Sequence, residues 1–108
     1  MPASVMISQN ESIILYQQDF YDIFGYVRSF INSPTLEFKL YLPIDSGLDS
    51  VDVRDYTSSE FNIMYHAMVN ALKHLKESGK IFRQDNRALK EWENIINKLE
   101  KDERFEPL

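Results

Sequence analysis

The stretch that most constrains the fold of this chain is residues 58–76, SSEFNIMYHAMVNALKHLK, which is apolar around most of a helix. Wound at 100° per residue, its apolar side chains cover an arc of about 240°. A surface helix needs an apolar stripe of only about 100°, so we expect this one to pack against neighbours on two sides. The sequence therefore predicts a central, buried helix over residues 58–78.

Both ends of this central helix are marked in the sequence. Thr57 and Glu60 have the spacing of a capping box, in which each side chain accepts a hydrogen bond from the other residue's backbone. Gly79 supplies the left-handed residue that often ends a helix. The polar residues are confined to a narrow strip that we expect to face solvent: Asn62, His66, Asn70, Lys73 and His74.

Composition limits the class of protein. The 108 residues are 44% hydrophobic and 27% charged, which is typical of one globular domain. We expect a single domain over residues 1–108 with frayed ends at about 1–9 and 102–108. Cysteine is absent and no stretch is apolar enough to span a membrane, so we predict a cytoplasmic protein.

The first third of the chain allows two interpretations. Apolar residues recur at helical spacing from residue 12 to residue 32, which favours one long helix ending at Ser33-Pro34. The β-rich start, Ile13-Ile14-Leu15-Tyr16, also allows a hairpin between residues 4–8 and 12–17. In that case we expect the helix to begin at Asp19, a good N-cap residue.

Residues 36–42, LEFKLYL, alternate between apolar and polar side chains, which predicts a strand with one buried face. Residues 51–54 alternate briefly and are placed to pair back with it. The prediction is therefore a small antiparallel hairpin over about residues 36–54. A conventional amphipathic helix follows over about residues 86–101, capped by Asp85 or Asn86. Together these elements predict an α+β fold.

No motif for catalysis or metal binding emerges from the sequence. His66 and His74 lie about 80° apart on the central helix and two turns along it, so they cannot chelate one metal as an i, i+4 pair does. The DSGLD segment lacks the ligand ladder of a calcium loop. We therefore expect no enzymatic activity, no metal and no cofactor.

The acidic residues are concentrated in the first half of the chain, and this asymmetry suggests a binding surface. Residues 1–60 contain nine acids and three bases, whereas residues 61–108 contain eight acids and nine bases. Exposed tyrosine beside carboxylate is favoured in recognition surfaces. A loop that is acidic only because turns favour Asp is the alternative. The predicted partner-binding residues are Asp45, Asp49, Asp52, Asp55, Tyr41 and Tyr56.

One short segment resembles a known family. Residues 55–61, DYTSSEF, are similar to the DYT-x-x-EF opening of the first helix in immunity proteins of nuclease colicins. The resemblance covers these seven residues, and part of it is the capping box. In that family the motif stands near the N-terminus and a tyrosine pair follows in a later acidic segment. This chain has neither feature.

Three functions remain open from the sequence. The leading hypothesis is a non-enzymatic inhibitor, such as an immunity protein, that binds a basic toxin through an acidic surface. The second is a small nucleic-acid-associated regulator, and the third is a subunit that forms homo-oligomers through aromatic surface. The second hypothesis rests on a basic cluster over residues 73–90: Lys73, Lys76, Lys80, Arg83, Arg87 and Lys90.

Overall fold

The structure, a computed structural model, describes residues 2–79 and 87–107. Over these residues the elements are β1 (Pro2–Ser8), β2 (Glu11–Tyr16), α1 (Gln17–Val27), a 3₁₀ turn (Arg28–Phe30), α2 (Pro34–Asp45), β3 (Ser50–Asp52), α3 (Ser58–Ser78) and α4 (Arg87–Leu99). The predicted α+β class, the central helix and the last helix are confirmed. The predicted caps of the last helix, Asp85 or Asn86, lie outside the described residues.

The described part of the chain forms one sheet with the strand order β2-β1-β3. β1 pairs antiparallel with β2 and parallel with β3. Its alternate residues Ala3, Val5 and Ile7 are buried, so the pleat turns one face of the sheet toward the helices. The prediction that residues 1–9 fray is therefore wrong for Pro2–Ser8, which is the middle strand.

The hairpin alternative for the first residues is confirmed, and the long helix from residue 12 is wrong. Ile13 and Leu15 pair with β1 and point into the core, as alternation requires of a strand. The helix begins at Gln17, with Tyr16 at the N-cap position. Asp19 is therefore not the cap. It is buried and accepts from Arg87 at 2.7 Å.

Residues 36–42 form a helix, so the predicted antiparallel hairpin over residues 36–54 is also wrong. Ser33 caps α2 by accepting from the Leu36 N–H at 3.2 Å, and Pro34 occupies its first turn. Leu36 and Leu40 are buried, as the strand also required. Positions four apart share a face in a helix as well as in a strand, so the apolar pattern did not distinguish the two. Of the predicted return strand, Ser50–Asp52 is extended and pairs with β1.

The central helix α3 has the predicted caps and one misjudged polar position. The Thr57–Glu60 capping box is formed, and Gly79 ends the helix with φ of 73°. Asn62, expected in the solvent-facing strip, is instead buried. Its side-chain amide donates to the carbonyls of Ser58 at 2.7 Å and Arg104 at 2.8 Å. The second acceptor belongs to the C-terminal tail, which helical periodicity cannot reveal.

Helix α4 runs alongside β2 and closes the core. Trp92 is fully buried, and its indole N–H donates to the Met68 carbonyl of α3 at 3.1 Å. Lys98 forms an ion pair with Glu11, at the start of β2. At the other end of the strand, the Arg87 guanidinium lies 3.9 Å from the centroid of the Tyr16 ring. These two contacts show that α4 runs antiparallel to β2.

Arg104 attaches the C-terminal tail to two other parts of the chain. Its guanidinium donates to the carbonyls of Val53 at 2.8 Å and Tyr56 at 3.1 Å, and to that of Ile7 at 2.8 Å. Asp102 accepts from it as well, at 2.8 Å. The prediction that residues 102–108 fray is therefore wrong for the described tail, which Arg104 ties to three backbone carbonyls elsewhere in the chain.

Replacing Arg104 with Met should lower the free energy of unfolding by about 3 kcal/mol. Three carbonyls would lose a charged donor, and the Asp102 carboxylate, only 6% exposed, would lose its cation. Arg54→Met is the matched control, because the Arg54–Asp52 pair is exposed and contributes less than about 1 kcal/mol. Chemical denaturation measures both. Equal and small changes would contradict the structural role of Arg104.

Candidate partner-binding surface

The four predicted aspartates do not form one cluster. Asp45 ends α2 and pairs with Arg28 at 2.9 Å, which holds the pKa of that carboxyl below its usual range. Asp49 precedes β3 and Asp52 ends it, about 10 Å apart at the rise of a strand, and their side chains project to opposite faces of the sheet. Asp55 follows β3 by three residues. The acidic segment therefore extends as a line along the β3 side of the molecule.

The aspartates also differ in how far their charges are neutralised. Asp52 pairs with Arg54 at 2.7 Å, which lowers the pKa of the carboxyl. Asp49 accepts from the Gln17 amide at 2.8 Å and from the Tyr21 hydroxyl, both uncharged donors. Asp55 is exposed. Among the described residues neither Asp49 nor Asp55 has an ion-pair partner.

The two predicted tyrosines are buried, and this corrects their proposed exposure. Tyr41 is 1% exposed and donates to the Phe24 carbonyl. The error follows from the false strand, because residue 41 lies on the buried face of a helix that also buries residues 36 and 40. Tyr56 is 5% exposed beneath Lys39. Burial raises the pKa of both phenols. The exposed tyrosine beside a carboxylate is Tyr21, at Asp49.

An open cleft of about 1,050 Å³ lies where the C-terminal tail meets the end of β3. Three predicted site residues, Asp52, Asp55 and Tyr56, line it. The cleft is also lined by four bases and by two further acids of the tail: Lys39, Arg54, Lys101, Arg104, Asp102 and Glu103. Because four carboxylates face four cations, the cleft itself is close to electrically neutral.

The largest exposed apolar side chains include two on the outer face of the sheet and one in the loop that precedes β3, which the sequence analysis missed. Ile14 is 71% exposed and Tyr16 is 61% exposed, both on β2. Leu48, which is 56% exposed, lies just before β3. A helix over residues 12–32, the interpretation that the sequence favours, gives these residues no open apolar side of a strand. The Arg87 guanidinium lies 3.9 Å from the centroid of the Tyr16 ring, which still exposes most of its surface.

A second exposed apolar pair lies on α2. Phe38 is 67% exposed and Leu42 is 49% exposed, one helical turn apart. The carboxylates beside them, Glu37 and Asp45, both pair with Arg28. This stripe therefore has an electrically neutral border.

The structure shows the contacts of the two histidines and of part of the basic cluster. His74 Nδ1 lies 2.8 Å from the Tyr26 hydroxyl, whereas the buried Nε2 of His66 has no hydrogen-bond partner among the described atoms. Within the described residues, no group of three or more His, Asp or Glu side chains is arranged to hold a metal. Lys76 pairs with Glu93. Two members of the basic cluster, Lys80 and Arg83, lie outside the described residues.

No described helix is both long enough and apolar enough to cross a membrane. No family model matches the chain, and no curated protein matches it. Among solved structures, the chain is similar to the CdiI immunity protein in complex with its cognate CdiA-CT toxin from Burkholderia pseudomallei E479. The TM-score is 0.80 at 17% sequence identity, over 94% of this chain and 97% of that chain. At this identity the similarity shows a shared fold.

Acidification should destabilise the chain through Asp102 at the cleft. The hydrogen bonds from Arg104 hold the pKa of Asp102 below its usual range in the folded state. In the unfolded chain the Asp102 carboxylate takes up a proton near pH 4. The contribution of Asp102 to the free energy of unfolding is therefore present above about pH 4 and is lost as pH falls further. Denaturation at pH 7, 4 and 3 should therefore show a shallower pH dependence for Asp102→Asn than for the parent. Parallel curves for the two proteins would contradict the ion pair.

Proposed function

We propose that this chain is an immunity-type inhibitor that neutralises a protein toxin by binding it, without enzymatic activity of its own. The observation that carries the proposal is the similarity of its fold to a CdiI immunity protein along 94% of the chain. The proposal also agrees with the leading hypothesis from the sequence.

We also propose that the partner is a basic protein and that the two proteins bind in the cytoplasm. The net charge of −5 attracts a cationic protein at long range. The aspartate line supplies the local charge through Asp49 and Asp55, while Asp45 and Asp52 contribute less because arginines neutralise them. Carboxylates at the rim of an interface mainly accelerate association and select the partner, and apolar contacts then supply most of the affinity.

We expect the gene directly upstream of this chain's own gene to encode the toxin, and the direct test is protection of cells against that gene product. That toxin is expressed from an inducible promoter in a heterologous host, with or without this chain. Growth should persist when the chain is present and cease when it is absent. The toxin from Burkholderia pseudomallei E479 serves as a non-cognate control, against which 17% identity to its own immunity protein should give no protection.

A purified complex provides the second part of the test. The chain and the upstream toxin should form a stable complex in solution, and the toxin's activity should fall in proportion to the chain added. Growth arrest despite abundant folded chain, together with no complex in solution, would contradict the proposal.

Asp55→Lys should slow association with the toxin about five-fold at low salt, because an exposed carboxylate at the rim steers a basic partner. The control is Glu77→Lys, which changes the net charge equally on an exposed position near the end of α3. Its association rate should change by less than about two-fold. Stopped-flow kinetics at several salt concentrations measures both variants. Equal slowing by the two would show that only the net charge matters.

A further inference from the structure

We infer that the outer face of the sheet, formed by Ile14, Tyr16 and the adjoining Leu48, is the surface on which the toxin docks. The inference rests on the proposed function and adds to it the place of contact. The occupant is a protein surface with apolar side chains at its centre and Lys or Arg at one side. The sheet face and the aspartate line beside it together define this chemistry.

Strand register brings the apolar side chains together on this face. Tyr16 lies opposite Pro2, and Ile14 lies opposite Ser4, which in turn is opposite Ser50. The neighbours of Ile14 across the sheet are thus small, and its side chain stands above them at 71% exposure. An interface contact on a flat, hydrogen-bonded sheet requires little reordering of the backbone, so less affinity is lost on binding.

Tyr16 is held in a fixed orientation before any partner arrives. The Arg87 guanidinium lies 3.9 Å from the centroid of its ring, and Asp19 fixes that guanidinium through two hydrogen bonds, of 2.7 and 3.1 Å. The aromatic ring nevertheless remains 61% exposed. A rigid, exposed tyrosine is the type of side chain that most often carries binding energy at an interface.

Charge distinguishes this face from the apolar stripe of α2. Both surfaces expose large apolar side chains to a similar extent, 71% for Ile14 and 67% for Phe38. The carboxylates beside Phe38 are neutralised by Arg28. Beyond the end of β3 the sheet face is bordered by Asp55, which has no ion-pair partner among the described residues. The carboxylate of Asp49 faces α1, where Gln17 and Tyr21 donate to it. A basic protein therefore finds complementary charge beside the sheet and not beside α2.

The dimensions of the face fit the centre of an interface. Three strands about 4.8 Å apart and about five residues long give a projected area of roughly 250 Å². A stable interface covers about 800 Å² on each partner, so the contact must extend beyond the sheet. The adjoining aspartate line and the cleft supply that rim. A second copy of the chain is a poorer occupant, because two molecules of net charge −5 repel each other.

The absence of cysteine makes this surface directly testable. The single-cysteine variants Ile14→Cys and Phe38→Cys are each labelled with a bulky polyethylene-glycol maleimide. Binding to the upstream toxin is then measured by calorimetry for labelled and unlabelled protein. The two positions are matched in exposure, and neither side chain is needed for the core, so both variants should fold. Circular dichroism and thermal melting verify this for each labelled protein.

The expected result is that the label at position 14 weakens binding by about 100-fold or more, whereas the label at position 38 changes it by less than about three-fold. If the label at position 14 has no effect, or if both labels weaken binding equally, the inference that the toxin docks on the sheet face is overturned. Binding by the unlabelled protein would still support the proposed function. No binding by unlabelled protein would overturn the proposed function and the surface with it. A dimer that dissociates on labelling position 14, detected by light scattering, would assign the face to a second copy and overturn the inference.

Discussion

The arrangement of the other elements depends on the hydrogen bonds that the Arg104 guanidinium donates. It joins the C-terminal tail to the middle strand through Ile7 and to the segment between β3 and α3 through Val53 and Tyr56. It also lies 4.4 Å from the centroid of the Phe61 ring, at the start of the central helix. A largely buried cation is tolerated only when its donors are satisfied, and here carbonyls and the Asp102 carboxylate satisfy them. The tail is therefore a structural part of the domain.

The position of the helices explains why one face of the sheet is open. The buried residues of the strands point to the side on which the helices pack, and the residues on the other side are exposed or half-buried. A chain of 108 residues has enough elements for two layers around one core. The second face of such a sheet meets solvent, and polar residues usually occupy it. Here serines occupy much of it, and Ile14 and Tyr16 stand exposed among them.

The sequence was sufficient for elements whose signals are local. The central helix was predictable from its apolar arc, its capping box and Gly79, and α4 from its single apolar stripe. Residues 36–42 were not predictable as a helix, because Leu36 and Leu40 share a face both in a helix and in a strand. Ser33-Pro34 can end one helix and also begin the next. The burial of Asn62 depends on a carbonyl 42 residues away. Of the predicted site, the aspartates lie on the surface and the two tyrosines are in the interior.

The central claim, that a toxin docks on the open face of the sheet, is tested most directly by methyl NMR of the isoleucines. Ile23 and Ile95 are fully buried and serve as internal references, while Ile14 is the reporter on the face. An Ile14→Val variant assigns its resonance. On addition of equimolar upstream toxin, the Ile14 methyl resonance should shift or broaden while those of Ile23 and Ile95 stay in place. A complex that forms with the Ile14 resonance unchanged would contradict the account.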